Sequence, residues 1–437
     1  MGVSQTFVGG IHPHELGNGK AVNGANAIID MKAPAKVTIP LSQHVGAPAE
    51  CLVKVGDTVN LGQVIGSARG AISAAVHASV SGKVIAVGPA TIASGKSVTA
   101  VTIENDFEDR WDESVVPTED PDAGSIARIA AEKGIVGMGG AAFPTAVKLE
   151  VSQLNPRPDM LVVNGSECEP YLTSDHRLML EAPEQIIVGV LLAMKATGIT
   201  KARIGVEDNK MDAVEALQAA AKDGVEVVAL PAKYPQGYEK MLIYALTGRK
   251  VPNGGLPSAA QCVVLNVATC AALSLAVRQG RPLIDRIVTV GGHVAKPGNY
   301  RVRIGASLLD LLECAGGLEP DVRKVIVGGP MMGNSIPSLN IPVTKNFGGL
   351  LALADEGVAP EESACIRCGR CVRACPMGLM PTQMDAYIRH DNIADAVRIG
   401  VLNCMECGSC TYVCPAKREL TQSFRMAKAM NRMKNSH

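Results

Sequence analysis

Aromatic residues are scarce in this chain: one Trp, five Phe and seven Tyr make up 3% of it. A platform for single-stranded nucleic acid needs several such rings on one face, so base stacking is excluded as a binding mode. Excess charge is missing too. Lys plus Arg and Asp plus Glu both number 42, which leaves no global field to draw the chain onto nucleic acid or a membrane surface. Long apolar runs are also absent. The longest are Ile186 to Met194 and Cys262 to Val277, the second interrupted by Asn266, Thr269 and Ser274, and neither approaches the roughly twenty unbroken residues that span a bilayer. A chain soluble by itself, with no transmembrane segment, is expected. No secretory signal is expected. Its opening, Met1 to Thr6, fits the loose myristoylation pattern, but nothing polybasic follows and the match is read as chance.

Cysteine is what the chain has. Eight of its 13 cysteines form two copies of C-x2-C-x2-C-x3-C-P: Cys365, Cys368, Cys371 and Cys375 before Pro376, then Cys404, Cys407, Cys410 and Cys414 before Pro415. In this bacterial ferredoxin pattern three cysteines on a tight loop grip one [4Fe-4S] cube and the fourth reaches the other cube. The expected ligation is therefore crossed: Cys365, Cys368 and Cys371 with Cys414, and Cys404, Cys407 and Cys410 with Cys375. The fourth cysteine is expected to begin a helix, and a single helix over Pro381 to Ile399 to join the two runs. Structural zinc is the bland alternative, but it uses two pairs of ligands and has no need of a third cysteine at the same interval. Disulfides suit small oxidised domains, whereas Cys51, Cys168, Cys262, Cys270 and Cys314 sit in apolar or Gly-rich contexts as buried thiols. The implied compartment is reducing.

The length suggests several domains. Residues 1–34 read as an extended N-terminal arm, rich in Gly, His and Pro from Phe7 to Lys20. Residues 35–115 carry short β-branched runs punctuated by Gly, a small all-β unit. Residues 116–280 alternate strand and helix: helices at Ser125 to Lys133, Pro183 to Thr197, Asp212 to Ala221 and Gly237 to Leu246, strands at Asp159 to Val163, Ala202 to Val206 and Val225 to Leu230, then a strand and helix within Cys262 to Val277. Residues 281–350 form another small unit, and residues 351–437 hold the cysteine runs and a basic tail. That tail reads as a solvated helix face or as a dock for an acidic partner or anionic lipid.

Within 116–280 two stretches carry chemistry. The glycines of Gly137-Met138-Gly139-Gly140 let a backbone come within reach of a phosphate or a flavin edge, Pro144 suits a first helical turn, and Lys148 stands one turn on to neutralise an anion. An ordinary tight turn is the alternative. The strand ending at Val163 delivers Asn164-Gly165-Ser166-Glu167-Cys168-Glu169-Pro170 at its carboxyl end, where the ligand sites of α/β sheets lie. Solvated loop carboxylates are the alternative for Glu167 and Glu169.

Several of these features resemble known families. Val55-Gly56-Asp57-Thr58-Val59, Gly62 to Ile65 and His77 to Gly82 look like the lipoyl or biotinyl carrier scaffold, but the turn that would present a modifiable Lys holds His77-Ala78-Ser79-Val80, so a docking or spacer domain is expected. Gly137 to Lys148, Asn164 to Pro170, Gly237-Tyr238-Glu239 and Asn266 to Thr269 resemble the flavin subunit of respiratory complex I. A fuller match, from Phe7 to the paired cysteine runs and including Val206 to Lys210, is to the RnfC family of the Rnf electron-transport complex. The resemblance implies a multidomain α/β protein: a β-rich barrel-sandwich hybrid, a Rossmann-like FMN- and NADH-binding domain, a small β-grasp domain and a ferredoxin-like helical domain with two clusters.

It further implies FMN near Gly137, Gly139, Gly140, Lys148 and Asn164, with Glu167, Glu239, Asn266 and Thr269 nearby and Phe143 and Glu169 toward NAD(H). Met138, Ser166, Tyr238 and Leu265 depart from the complex I pattern, which implies weaker flavin contacts there. Gly328 to Gly333 looks like another cofactor loop but, with no charged partner after it, is read as a structural turn. The activity implied is that of a peripheral subunit on the cytoplasmic face of a membrane complex, passing electrons between NAD(H), FMN, two [4Fe-4S] clusters and its partner subunits. A cobalamin reductase of propanediol utilisation and a flavin-free relay remain as alternatives.

Overall fold

A computed structural model describes residues 6–15, 19–358 and 360–435. The myristoylation-like residues 1–5, part of the arm (16–18) and one linker position (359) lie outside the described residues.

The β-rich unit folds as two small antiparallel sheets. One orders its strands Lys36–Pro40, Ser97–Asn105, Gly82–Thr91, Thr58–Val59, and the other Glu50–Cys51, Val64–Ser67, Val76–His77. Alternating residues such as Val37, Ile39, Val84, Val101 and Ile103 point inward and are fully buried. The turn at 77–80 is buried as well, and Ser79 Oγ donates to the Ile304 carbonyl at 2.5 Å. It is a packing surface against the next β unit and not a presented arm.

The α/β unit holds a four-stranded, wholly parallel sheet ordered Val225–Leu230, Ala202–Glu207, Met160–Asn164, Cys262–Asn266. Both faces are covered by helices, which is why these strands read as continuous apolar runs. Helix Pro183–Thr197 packs on Val267–Gln279 across the back. Its apolar core is continuous with that of the β-rich unit.

The third sheet has six strands, ordered Ile29–Asp30, Gly298–Arg303, Asp285–Gly292, Gly349–Leu353, Lys324–Val327, Asn334–Ser335. Ile29–Asp30 comes from the arm and Gly349–Leu353 runs in the sheet's interior, so a boundary at residue 350 would cut a strand. Helix Leu308–Cys314 starts with a reciprocal cap between Ser307 and Asp310.

The cysteine-bearing end is a bundle of short helices around Met384, Ile388, Ile393, Ala396, Leu420 and Phe424. Here the structure departs from three expectations. The single helix over Pro381 to Ile399 is two, Pro381–Arg389 and Ile393–Arg398, because Asp391 turns left-handed (φ 55°) and Asn392 caps the second by accepting from Asp395 N. Cys375 follows the short helix Arg370–Ala374 as its C-cap, and Cys414 lies just past Ser409–Tyr412; neither begins a helix. The arm is packed rather than loose: Phe7 and Ile11 are buried, Gly10 N donates to Ala374 O, and Ile11 pairs with Tyr234. The basic tail is the helix Leu420–Asn435, and part of its charge is spent internally, Arg425 and Lys428 both on Glu406.

Candidate flavin and iron-sulfur sites

The parallel sheet reverses its order at Met160–Asn164. The chain adds strands to one side of it and then returns to place Cys262–Asn266 on the other, so Asn164 and Asn266 stand side by side at the carboxyl ends. This is the topological switch point, where such sheets open a crevice. Each asparagine is held. Asn164 Nδ2 donates to Gly237 O at 2.8 Å and its Oδ1 accepts from Ser166 N at 3.0 Å. Asn266 caps helix Val267–Gln279 through Ala268 N at 2.8 Å and donates to Asp175 Oδ2 at 2.6 Å.

The glycine stretch closes over this edge. Met138 N donates to Thr269 Oγ1 at 3.0 Å, so Thr269, fully buried, holds the loop and spends its hydroxyl on the protein itself. A Cβ on Gly139 would strike Asn266 Nδ2 at 2.8 Å, whereas one on Gly140 would meet nothing within 4 Å. No positive φ is imposed at Gly140 either. Neither packing nor backbone geometry thus requires glycine at 140. A flat ring approaching the backbone would, so the cradle fits a flavin. Lys148 lies on the helix Thr145–Leu149 and donates to Glu239 Oε1 and Val264 O, each at 3.0 Å. Pro144 occupies the N-cap position of that helix instead of its first turn. Phe143 is half-buried beside them.

The acidic loop after Asn164 is less open than its sequence suggests. Glu167 turns left-handed (φ 46°) and its carboxylate accepts from Asp175 N, His176 N and Ser174 Oγ at 2.9–3.1 Å. It caps helix Ser174–Glu181. Lys20 of the arm donates to the carbonyls of Glu167, Glu169 and Leu172 at 2.6–2.8 Å, and buried Lys210 supports the loop at Ser166 O while pairing with Glu207. Nothing in the sequence singles out Lys20, and only the fold brings it within reach.

Glu169 is the exception, half-buried as a residue but with one carboxylate oxygen fully enclosed. Its Oε2 accepts from Met331 N at 3.0 Å, its Oε1 has no hydrogen-bond partner among the described residues, and Tyr234 lies beside it. Burial pushes its carboxyl up to about 7. Folding therefore favours the protonated form: the stability contributed is full below the ordinary value of 4.5 and is lost as pH rises through about 7. A gap of that size corresponds to about 3 kcal/mol. Glu169→Gln keeps an oxygen for Met331 N, so we expect it to unfold later than the parent at pH 8 and equally at pH 4, measured by urea denaturation. An unchanged pH profile would refute this.

Around the cysteines the backbone repeats itself. Arg367 and Glu406 have φ of 56° and 59°, Gly369 and Gly408 of 70° and 81°, and Gly378 and Lys417 of 63° and 55°. Each pair is thirty-nine residues apart, as the cysteines are. Loops that copy each other in left-handed turns present their thiols in the same way. Amide N–H groups point at sulfur in both: Arg367 N to Cys365 Sγ, Glu406 N to Cys404 Sγ and Leu379 N to Cys375 Sγ, each 3.4 Å. All thirteen cysteines are free thiols. Cys375, Cys404, Cys407 and Cys410 line one cavity, and Cys375 helps to raise the thiols of the other three, whose shifts come first from burial. Cys414 likewise acts on Cys371. This donor set fits crossed iron-sulfur sites.

The two sites differ in setting. Cys407 and Cys410 are buried, while Cys365 and Cys368 are exposed. Tyr234 Oη donates to Cys407 O at 2.7 Å, and Met331, Met405 and Ile11 close the seam between that loop and the crevice. The Gly328 to Gly333 turn is thus more than a local turn: Met331 touches Glu169 on one side, and its carbonyl lies 2.9 Å from where a Gly408 Cβ would stand.

Four stretches of the chain match known protein families. Residues 5–108 match the RnfC barrel sandwich hybrid domain, 130–275 the Nuo51 FMN-binding domain, 287–335 the SLBB domain and 358–415 a 4Fe-4S dicluster domain. The chain is 43% identical over 98% of its length to the C component of the proton-translocating ferredoxin:NAD(+) oxidoreductase complex of Clostridium ljungdahlii, covering 94% of it. It is 46% identical over 97% of its length to the Na(+)-translocating counterpart of Acetobacterium woodii, covering 96% of that protein. Among solved structures, an NAD+-reducing [NiFe]-hydrogenase in the air-oxidised state shares the fold over 69% of this chain and 63% of its own, at 21% identity and a TM-score of 0.52. The chain has an FMN-binding domain and an iron-sulfur domain, and it belongs to the RnfC family of Rnf-type ion-translocating oxidoreductase complexes.

Proposed function

We propose that this chain is the NAD(H)-linked subunit of a ferredoxin:NAD oxidoreductase complex, peripheral on the cytoplasmic face of the membrane. It passes electrons between NAD(H), FMN and two [4Fe-4S] clusters. One observation carries the reading: the loop of Cys404, Cys407 and Cys410 is packed on the rim of the switch-point crevice, with Tyr234 bonded to Cys407 O at 2.7 Å. The chemistry that FMN would supply when held there is hydride exchange with NAD(H) coupled to one-electron exchange with the clusters.

The chain's own residues position and exclude. Gly137, Gly139 and Gly140 offer backbone to the ring, Lys148 and Glu239 set a charge pair at its edge, Asn164 and Asn266 shape the floor, and Phe143 and Glu169 stand toward the nucleotide. No described helix is long and apolar enough to cross a membrane, so attachment falls to partner subunits. Anaerobic iron, sulfide and flavin analysis of the full chain, followed by NADH titration, tests the proposal. A preparation without flavin, whose cluster absorbance NADH fails to bleach, would overturn it.

Gly140→Ala separates cradle from scaffold. The added methyl meets no protein atom, so we expect the unfolding midpoint to stay within about 0.5 kcal/mol of the parent while FMN affinity falls at least tenfold by fluorescence titration. Equal affinity would show that nothing approaches the backbone there.

A further inference from the structure

We propose that the exposed cysteine loop at 365–373 is the face through which electrons leave or enter the chain, and that it docks an acidic surface of a neighbouring redox subunit. The inference rests on the function proposed above and adds the partner's chemistry. It starts from an asymmetry. The Cys404–Cys410 loop is buried against the crevice, but Ser363 through Cys368 are all exposed, Ile366 with 68% of its surface open. Electrons pass from one protein to another only where a carrier comes near the surface, and of the two loops this is the one with exposed cysteines, Cys365 and Cys368.

Charge marks the same place. Arg367, Arg370 and Arg373 are exposed and, among the described residues, none has a carboxylate partner. Arg370 and Arg373 lie three apart on one short helix and so share a side, and Arg373 Nη1 folds back to Cys368 O at 3.4 Å, which brings it to the cysteine loop. From Ser363 to Met380 there is no acidic residue.

The second loop is an internal control. It copies the backbone turn for turn, yet its equivalents thirty-nine residues on are Glu406, Ser409 and Tyr412. Glu406 is occupied by Arg425 and Lys428. Holding a cube therefore does not call for three arginines. They are kept unpaired only on the copy that faces outward, and an exposed apolar Ile366 on a segment that carries three arginines suits a transient, steered contact with carboxylates around a one-electron centre. The partner must be acidic there, since a basic or neutral face would leave the guanidinium groups uncompensated.

The test uses the full, cluster-loaded chain and membrane vesicles that contain the other subunits of its complex but lack this one. Arg367→Glu, Arg370→Glu and Arg373→Glu are combined, and a triple Lys variant keeps the charge. We expect the Glu variant to retain its iron, its cluster EPR signals and its NADH:ferricyanide rate. Electron exchange with the vesicle centres should fall at least tenfold in the Glu variant, stay near the parent in the Lys variant, and weaken steeply with salt in the parent. A Glu variant that exchanges electrons at the parental rate overturns the docking face alone. A parent chain that holds no iron or fails to oxidise NADH overturns the function beneath it.

Discussion

Cys375→Ala removes the cube gripped by the second cysteine run and spares the one gripped by the run in which Cys375 itself lies. The expectation follows from where the thiols point. Cys375 shares a cavity with Cys404, Cys407 and Cys410, and its charge bears on each of them, while Cys414 acts on Cys371. With that ligand gone, roughly half the iron is lost. The EPR spectrum of Cys375→Ala should then match that of Cys407→Ala and differ from that of Cys368→Ala, and Cys414→Ala should match Cys368→Ala. Flavin content stays at the parental level, because the residues proposed to hold the flavin, from Gly137 to Thr269, lie outside these runs. A Cys375→Ala spectrum identical to that of Cys368→Ala would mean that each run serves its own cube.

The cysteine runs could be read from sequence because their spacing is a local matter: three thiols on one tight loop need fixed intervals whatever surrounds them. The parallel strands could be read for a similar reason, since a strand buried on both faces must be apolar throughout. What escaped was set by distant contacts. Lys20 meets carbonyls 147 to 152 residues away, and nothing in the Gly- and Pro-rich arm marks it. Tyr234, Met331 and Asp175 are ordinary residues until the fold brings them to Cys407, Glu169 and Asn266. Glu167 was legible as a site residue, but the structure spends its carboxylate on three helix-start donors, a role its sequence neighbourhood shares with any acidic loop. The broken helix after Arg389 escaped because its hydrophobic spacing continues across a single left-handed Asp391.

Gly189→Ala carries the largest expected cost to the scaffold. Gly189 lies mid-way along Pro183–Thr197, where that helix crosses Val267–Gln279, and a Cβ built on it would stand 1.8 Å from Cys270 O and 2.4 Å from Cys270 C. Both atoms are backbone, so no side-chain rotation relieves the clash. The helices must part instead, and buried neighbours such as Ile186, Val190, Leu273 and Val277 lose close packing along the seam. Alanine returns about 1 kcal/mol of helix propensity, far less than an overpacked backbone contact of this depth costs, which is about 3 kcal/mol or more. The displaced helix is capped by Asn266 and carries Thr269, the two residues that abut or hold the glycine loop, so flavin affinity should fall together with the urea midpoint. Gly140→Ala would weaken only the first of these. Should Gly189→Ala unfold at or above the parental midpoint, the helix pair would have to cross elsewhere than at Gly189 and Cys270, and the close approach that sets the height of the crevice floor would be wrong.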